Sequence, residues 1–190
     1  MSMLTGAEAR SKLLKGVNLV ADAVKGTLGP QARTVILQNP LGGYPAILND
    51  GVTIARAVTD RDPYVQMGID LMKQVSAEAQ GNSGDGTTSA TIIAKTLANG
   101  SLSLMEKEVS PQIIRDALIS YTEQTRDYLE SKVNKDFNLV DVATIASNND
   151  EDLGKLIADV MKQNGETGTV TIEKSINGET YVDSADGFEV

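Results

Sequence analysis

The residues best suited to chemistry lie together in GNSGDGTTSATIIAKTLANG, Gly81 to Gly100. Gly84, Asp85, Gly86, Thr87, Thr88 and Ser89 set one carboxylate between two glycines, with three hydroxyls beside it. Glycine lets the backbone approach a ligand closely and adopt positive φ. The residues that follow favour a helix, whose first amides lack intrahelical partners and whose dipole attracts anions. Asp85 would repel a bare phosphate, so the pattern suits an anion only with a cation such as Mg²⁺ between them. No Gly-Lys-Ser/Thr follows, which excludes a Walker A loop. Taken alone, the turn reads equally well as a plain loop whose Asp or Thr caps a helix.

Composition restricts what else could act. Cysteine and histidine are both absent, so no disulfide, thiol nucleophile, zinc-thiolate centre or imidazole base exists. A metal would have to be a hard cation held by oxygen, and acid–base work would fall to carboxylates, Lys or Tyr. Seventeen basic against 26 acidic residues give a net charge of −9. Such a surface repels phosphate backbones, which argues against nucleic acid as a partner. Hydrophobic residues make up 41% of the 190 and charged residues 23%, as in a soluble globular protein. No apolar run approaches the roughly 20 residues of a membrane span. The N-terminal residues have neither a signal-peptide nor a transit-peptide layout, so the expected compartment is cytoplasmic.

The elements that must position the turn are mostly helical. Leu13, Val17, Val20 and Val24 share one face of a helix expected from Gly6 to Leu28, which Gly29-Pro30 ends. TVILQN (34–39) and AILND (46–50) read as the strands of a hairpin about PLGGYP. Asp50-Gly51 opens a short helix through Ala57. Val65, Ile69, Met72, Val75 and Ala79 mark a helix that ends at the Gly81-to-Gly86 turn, and Thr87 to about Leu104 is helical again. Pro111 starts a further helix, with Ile114, Leu118, Tyr121, Thr125 and Tyr128 on one face. After about Lys132 come two shorter helices, NLVDVATIAS and DEDLGKLIADVMKQ, the second with Asp150 at its N-cap. GTVTIEK alternates like a half-buried strand, and an Asn177-Gly178 turn leads to a partner strand expected over 180–190. The fold class is therefore mainly α with small β elements.

GVNLVADAVKGTLGPQARTVIL, NDGVTIAR, GDGTTSATIIAKTL and IASNNDEDLGKLIADVM occur in an order and spacing that resemble the N-terminal part of a group I (GroEL-type) chaperonin subunit. The likeness spans essentially the whole chain. It implies that 1–131 form the N-terminal half of a helical, equatorial ATP-binding domain. Residues 132–190 would be the ascending half of a small α/β intermediate domain, hinging near Gly187. The apical domain and the C-terminal half of the equatorial domain would be absent.

The same resemblance implies ATP and Mg²⁺ as cofactors, and allows K⁺. Thr27, Leu28, Gly29 and Pro30 would line the nucleotide, together with Asn49 and Gly51. Asp85 would bind Mg²⁺, Gly86, Thr87, Thr88 and Ser89 would wrap the phosphates, and Asp50 would lie near the γ-phosphate as an accessory catalytic carboxylate in hydrolysis. Asn49 departs from the Lys usual in bacterial members, Gln31 and Ala32 replace Lys-Gly, and Ser89 replaces Thr while keeping the hydroxyl. Such divergence would suit an outlying member, from a bacterial or phage-infected bacterial cell. The implied partners are other subunits in a homo-oligomeric ring, unfolded polypeptides and a co-chaperonin. The implied activity is ATP hydrolysis coupled to protein folding, weak or absent in this chain because a further aspartate lies beyond it. The alternative expectation is a truncated, non-hydrolysing assembly module of the same origin.

Overall fold

The stripe of valines in the first helix becomes the core of the fold. In the computed structural model, which describes residues 3–29, 33–38, 44–48, 50–134, 136–165, 168–173 and 175–184, α1 runs over Gly6–Val24. Val17, Val20 and Val24 are buried as their spacing predicts, and Leu13 is half-buried. The α-helix stops four residues before Leu28, and a 3₁₀ turn over Lys25–Thr27 tightens the end. Then come β1 (Val35–Leu37), β2 (Ala46–Leu48), α2 (Gly51–Ala57), α3 (Pro63–Ser83), α4 (Thr87–Glu106), α5 (Pro111–Glu130), α6 (Leu139–Ala146) and α7 (Glu151–Asn164). The strands pair antiparallel, Val35 opposite Leu48 and Leu37 opposite Ala46, as the expected hairpin.

The chain divides into two compact units, Met1–Glu123 and Gln124–Val190. In the first, Val17, Val20, Ala21 and Val24 of α1 pack with Ile54 and Ala55 of α2 and Val65, Ile69 and Met72 of α3. Close approach of α1 and α3 depends on glycine. A Cβ on Gly16 would lie 2.1 Å from the Val65 carbonyl oxygen, and one on Gly68 would lie 2.0 Å from that of Leu13. On α3 the buried residue after Met72 is Ser76, whose hydroxyl has no partner among the described residues, while Val75 is only half-buried.

α4 runs antiparallel to α1, and polar pairs mark the seam. Asn18 and Asn99 exchange amide hydrogen bonds, with Asn99 Nδ2 donating to Asn18 Oδ1 at 2.8 Å. Lys95 Nζ meets Asp22 Oδ1 at 2.8 Å, and Thr27 Oγ1 lies 3.1 Å from Thr88 Oγ1. As the number rises from 18 to 27 along α1 and its 3₁₀ end, the α4 number falls from 99 to 88.

In the second unit, α6 and α7 form a helical hairpin. Asn138 caps α6 by accepting from the Val140 amide, and Asp150, as expected, caps α7 by accepting from the Leu153 amide. Asn148 and Asn149 make the turn with φ of 56° and 65°, a region asparagine tolerates better than most residues. Parts of the strands expected over 168–174 and 180–190, residue 174 and residues 185–190, lie outside the described residues. The described residues among them, 168–173 and 180–184, adopt no strand, and Ile172 is 80% exposed. The turn chemistry survives, with Gly178 at φ 77°. What is missing is an apolar surface to cover Val170 and Ile172, and an isolated two-stranded hairpin is marginal without one.

Candidate functional site

Four helix termini meet where the polar seam ends. α3 closes at Gly84, which takes φ 70° so that its amide reaches the Gln80 carbonyl at 2.8 Å. Asp85 follows, and Gly86 takes φ 77° as the residue before α4. Both glycines therefore adopt the left-handed conformation that L side chains resist. Asp85 is exposed, and its Oδ1 accepts the Gly86 amide at 2.6 Å. Its other oxygen makes no hydrogen bond among the described residues.

α2 meets this turn through Gly51. A Cβ there would fall 2.3 Å from Thr88 Oγ1, 3.1 Å from Thr87 Oγ1 and 3.4 Å from the Thr88 amide nitrogen. Only glycine lets the start of α2 lie against the start of α4. The end of α1 arrives through Thr27, whose hydroxyl donates to the Val24 carbonyl at 2.8 Å and contacts Thr88.

Asp50 stands one residue before Gly51 and caps α2. Its Oδ2 accepts from the Thr53 amide at 3.0 Å and from the Thr53 hydroxyl, and its Oδ1 accepts from the Val52 amide at 3.4 Å. Desolvation works against its charge. The Thr53 hydroxyl, the two amides and the positive charge of Arg56 outweigh that, and hold the carboxyl below the usual aspartate range.

The structure thus brings Thr27, Gly51, Thr87 and Thr88 into contact, with Asp50 next to them in the chain. Asp85, Gly86 and Ser89 flank the same helix start. Leu28 is exposed, and Gly29 takes φ 89° in the bend that leaves the site. Pro30 and Asn49 lie outside the described residues. Sequence reasoning missed Asp22, which accepts from both Lys25 and Lys95 at 2.8 Å and so braces α1 to α4 beside the threonine pair. The only sequence hint is that Lys95 follows Thr88 by two helical turns, on the same face.

The oxygen chemistry here fits Mg²⁺. No cluster of three or more acidic, His or Cys residues exists among the described residues. Mg²⁺ seldom needs one, because it commonly takes one or two carboxylates and completes its shell with phosphate and water oxygens. Asp85, with one oxygen uncommitted, and the neighbouring hydroxyls make such a partial set. An open groove of about 540 Å³ lies along α1, lined by Arg10, Leu14, Leu19 and Leu102. It contains none of the glycine-turn residues.

The described residues are mainly helical with one two-stranded sheet, consistent with a chaperonin equatorial-type domain. A family model described as the TCP-1/cpn60 chaperonin family matches residues 20–185, and the chain belongs to that family. Membership supports a role in protein folding.

Proposed function

We propose that the chain is the nucleotide-binding N-terminal portion of a group I-type chaperonin subunit, and that it holds Mg-ATP at the start of α4. The observation that carries the reading is the convergence of Thr27, Gly51, Thr87 and Thr88 beside a glycine-flanked Asp85. The free α4 amides and the helix dipole would face the phosphates. Asp85 would hold the metal, which supplies positive charge between the carboxylate and the phosphate oxygens. Thr27, Leu28, Gly29 and Pro30 would line the nucleotide, together with Asn49 and Gly51. Assembly with other subunits in a ring, capture of unfolded polypeptide and engagement of a co-chaperonin belong to the same proposal. The cell compartment would be the cytoplasm.

Calorimetry with Mg-ATP on the wild type and on Asp85→Ala tests it. The variant should bind at least about tenfold more weakly, a loss of about 1.4 kcal/mol. Its melting temperature should hardly change, because Asp85 is an exposed turn residue. Equal affinity for both proteins would overturn the metal assignment.

A second reading, a non-hydrolysing assembly module, is favoured by the state of Asp50. Its carboxylate is committed to the α2 cap and held ionised, so it is a weak proton acceptor. We expect the 190-residue chain to bind Mg-ATP with little turnover. A general base typically contributes about 10²- to 10⁴-fold in rate. Sustained multiple turnover by this chain would exclude the module.

A further inference from the structure

The hydrogen-bond directions at the Thr27–Thr88 contact are fixed by counting protons. A hydroxyl carries one hydrogen, and a carbonyl oxygen can only accept. Thr27 Oγ1 lies 2.8 Å from the Val24 carbonyl oxygen, so its hydrogen goes there. The 3.1 Å contact between the two threonine hydroxyls must then be donated by Thr88. The chain of donation runs from Thr88 to Thr27 to the end of α1. Thr88 is left with lone pairs alone to offer a ligand.

We infer that Thr27 is a positioning residue. By taking the Thr88 proton, it turns the Thr88 hydroxyl into an obligate acceptor inside a helix N-terminus that otherwise presents donors. Thr88 then cannot donate to a phosphate oxygen. It faces the part of the ligand that carries positive charge or donates a proton, such as a metal-bound water. Gly51 holds this geometry in place, because any side chain there would collide with Thr88 Oγ1. The consequence is discrimination. Nucleotide carrying its cation is accepted, and metal-free nucleotide loses one donor it would otherwise find. The inference rests on the reading of the site as a Mg-nucleotide site.

The test compares wild type, Thr27→Val and Thr27→Ser by calorimetry, each with ATP in Mg²⁺ and with ATP in chelator. The readout is the ratio of the metal-free Kd to the Kd with Mg²⁺. Valine keeps the shape of threonine but accepts no proton, so Thr88 regains a hydrogen for phosphate. The ratio should fall about fivefold in Thr27→Val, the size of one net hydrogen bond. Thr27→Ser, which keeps the hydroxyl, should retain the wild-type ratio. A merely structural role would weaken both affinities together and leave the ratio unchanged, and that result overturns the inference. So does a serine variant that behaves like valine. If the wild type binds no nucleotide under either condition, the Mg-nucleotide reading fails first and the role of Thr27 fails with it.

Discussion

At the scale of single residues, Asp50 is a carboxylate that caps a helix one residue away from the candidate site. It closes the first turn of α2 through the Val52 and Thr53 amides and the Thr53 hydroxyl. Its pKa is depressed in the folded chain. Stability from its charge is therefore fully present above the unfolded value of about 3.9 and is lost as pH falls through the lower folded value. Asp22, lowered by its hydrogen bonds to Lys25 and Lys95, acts in the same direction and over the same acid window. Replacing an Asp N-cap by Ala costs about 0.5–2 kcal/mol. Asp50→Ala should thus unfold at lower urea than wild type at pH 7. That difference should begin to shrink as the pH falls below about 3.9 and should vanish only below the lower folded value, where the wild type has also lost the charge. Urea titrations at pH 7 and at acid pH decide it, and a gap that stays constant would mean the cap works without ionisation. The helix start at Asp50-Gly51 was legible in the sequence, because Asp before a helical run is a known signal. The nearness of Thr88 was not, since nothing in the local pattern tells a glycine that opens a helix from one that must admit a neighbour.

At the scale of elements, the crossing of α1 and α3 is set by two glycines that no apolar periodicity reveals. The valine stripe of α1 and the Val65–Ile69–Met72 stripe of α3 were readable because burial on a helix follows its 3.6-residue period. Gly16 and Gly68 carry the other half of that interface, backbone against backbone, and they are silent in such a pattern. The Asn18–Asn99 and Asp22–Lys95 pairs were equally hidden, being 81 and 73 residues apart in the chain. The described parts of the strands expected after residue 167 adopt no strand for the opposite reason. Their alternation was clear, but burial on a strand needs a surface to pack against. Glycine within a helix ordinarily costs about 0.5–1 kcal/mol relative to alanine. Gly100 of α4 has open space around its Cβ position, so Gly100→Ala should stabilise by up to about 1 kcal/mol. Gly68→Ala should do the reverse, because the atom it meets is backbone and cannot rotate away. Overpacking of this kind costs about 1–3 kcal/mol. Opposite shifts of the two urea midpoints are the expected result, and a stabilised Gly68→Ala would show that α1 and α3 do not cross so closely.

At the scale of the whole molecule, the balance lies between a small core and a charged exterior. The helix that forms the candidate site, α4, buries only Thr91, while Ile93, Leu97 and Leu104 are exposed. α5 likewise buries only Ile114 and exposes Ile113, Ile119, Tyr121, Tyr128 and Leu129. Apolar surface is worth about 25 cal/mol per Å² when removed from water, so covering a few hundred Å² yields several kcal/mol. That is a large share of a domain stability of about 5–15 kcal/mol, and a strong drive to associate. Opposing it is the net charge of −9, which sets like-charged copies against one another. The two terms respond differently to salt. Screening shortens the reach of the repulsion from about 30 Å at 0.01 M to about 8 Å at 0.15 M, while apolar attraction is untouched by screening. The 190-residue chain should therefore bind a hydrophobic dye at any ionic strength. It should also self-associate more strongly at 0.15 M than at 0.01 M salt. Sedimentation velocity at both salts, with dye fluorescence on the same samples, reads both effects. A dye-negative monomer under both conditions would mean that the exposed faces of α4 and α5 are covered within the chain itself.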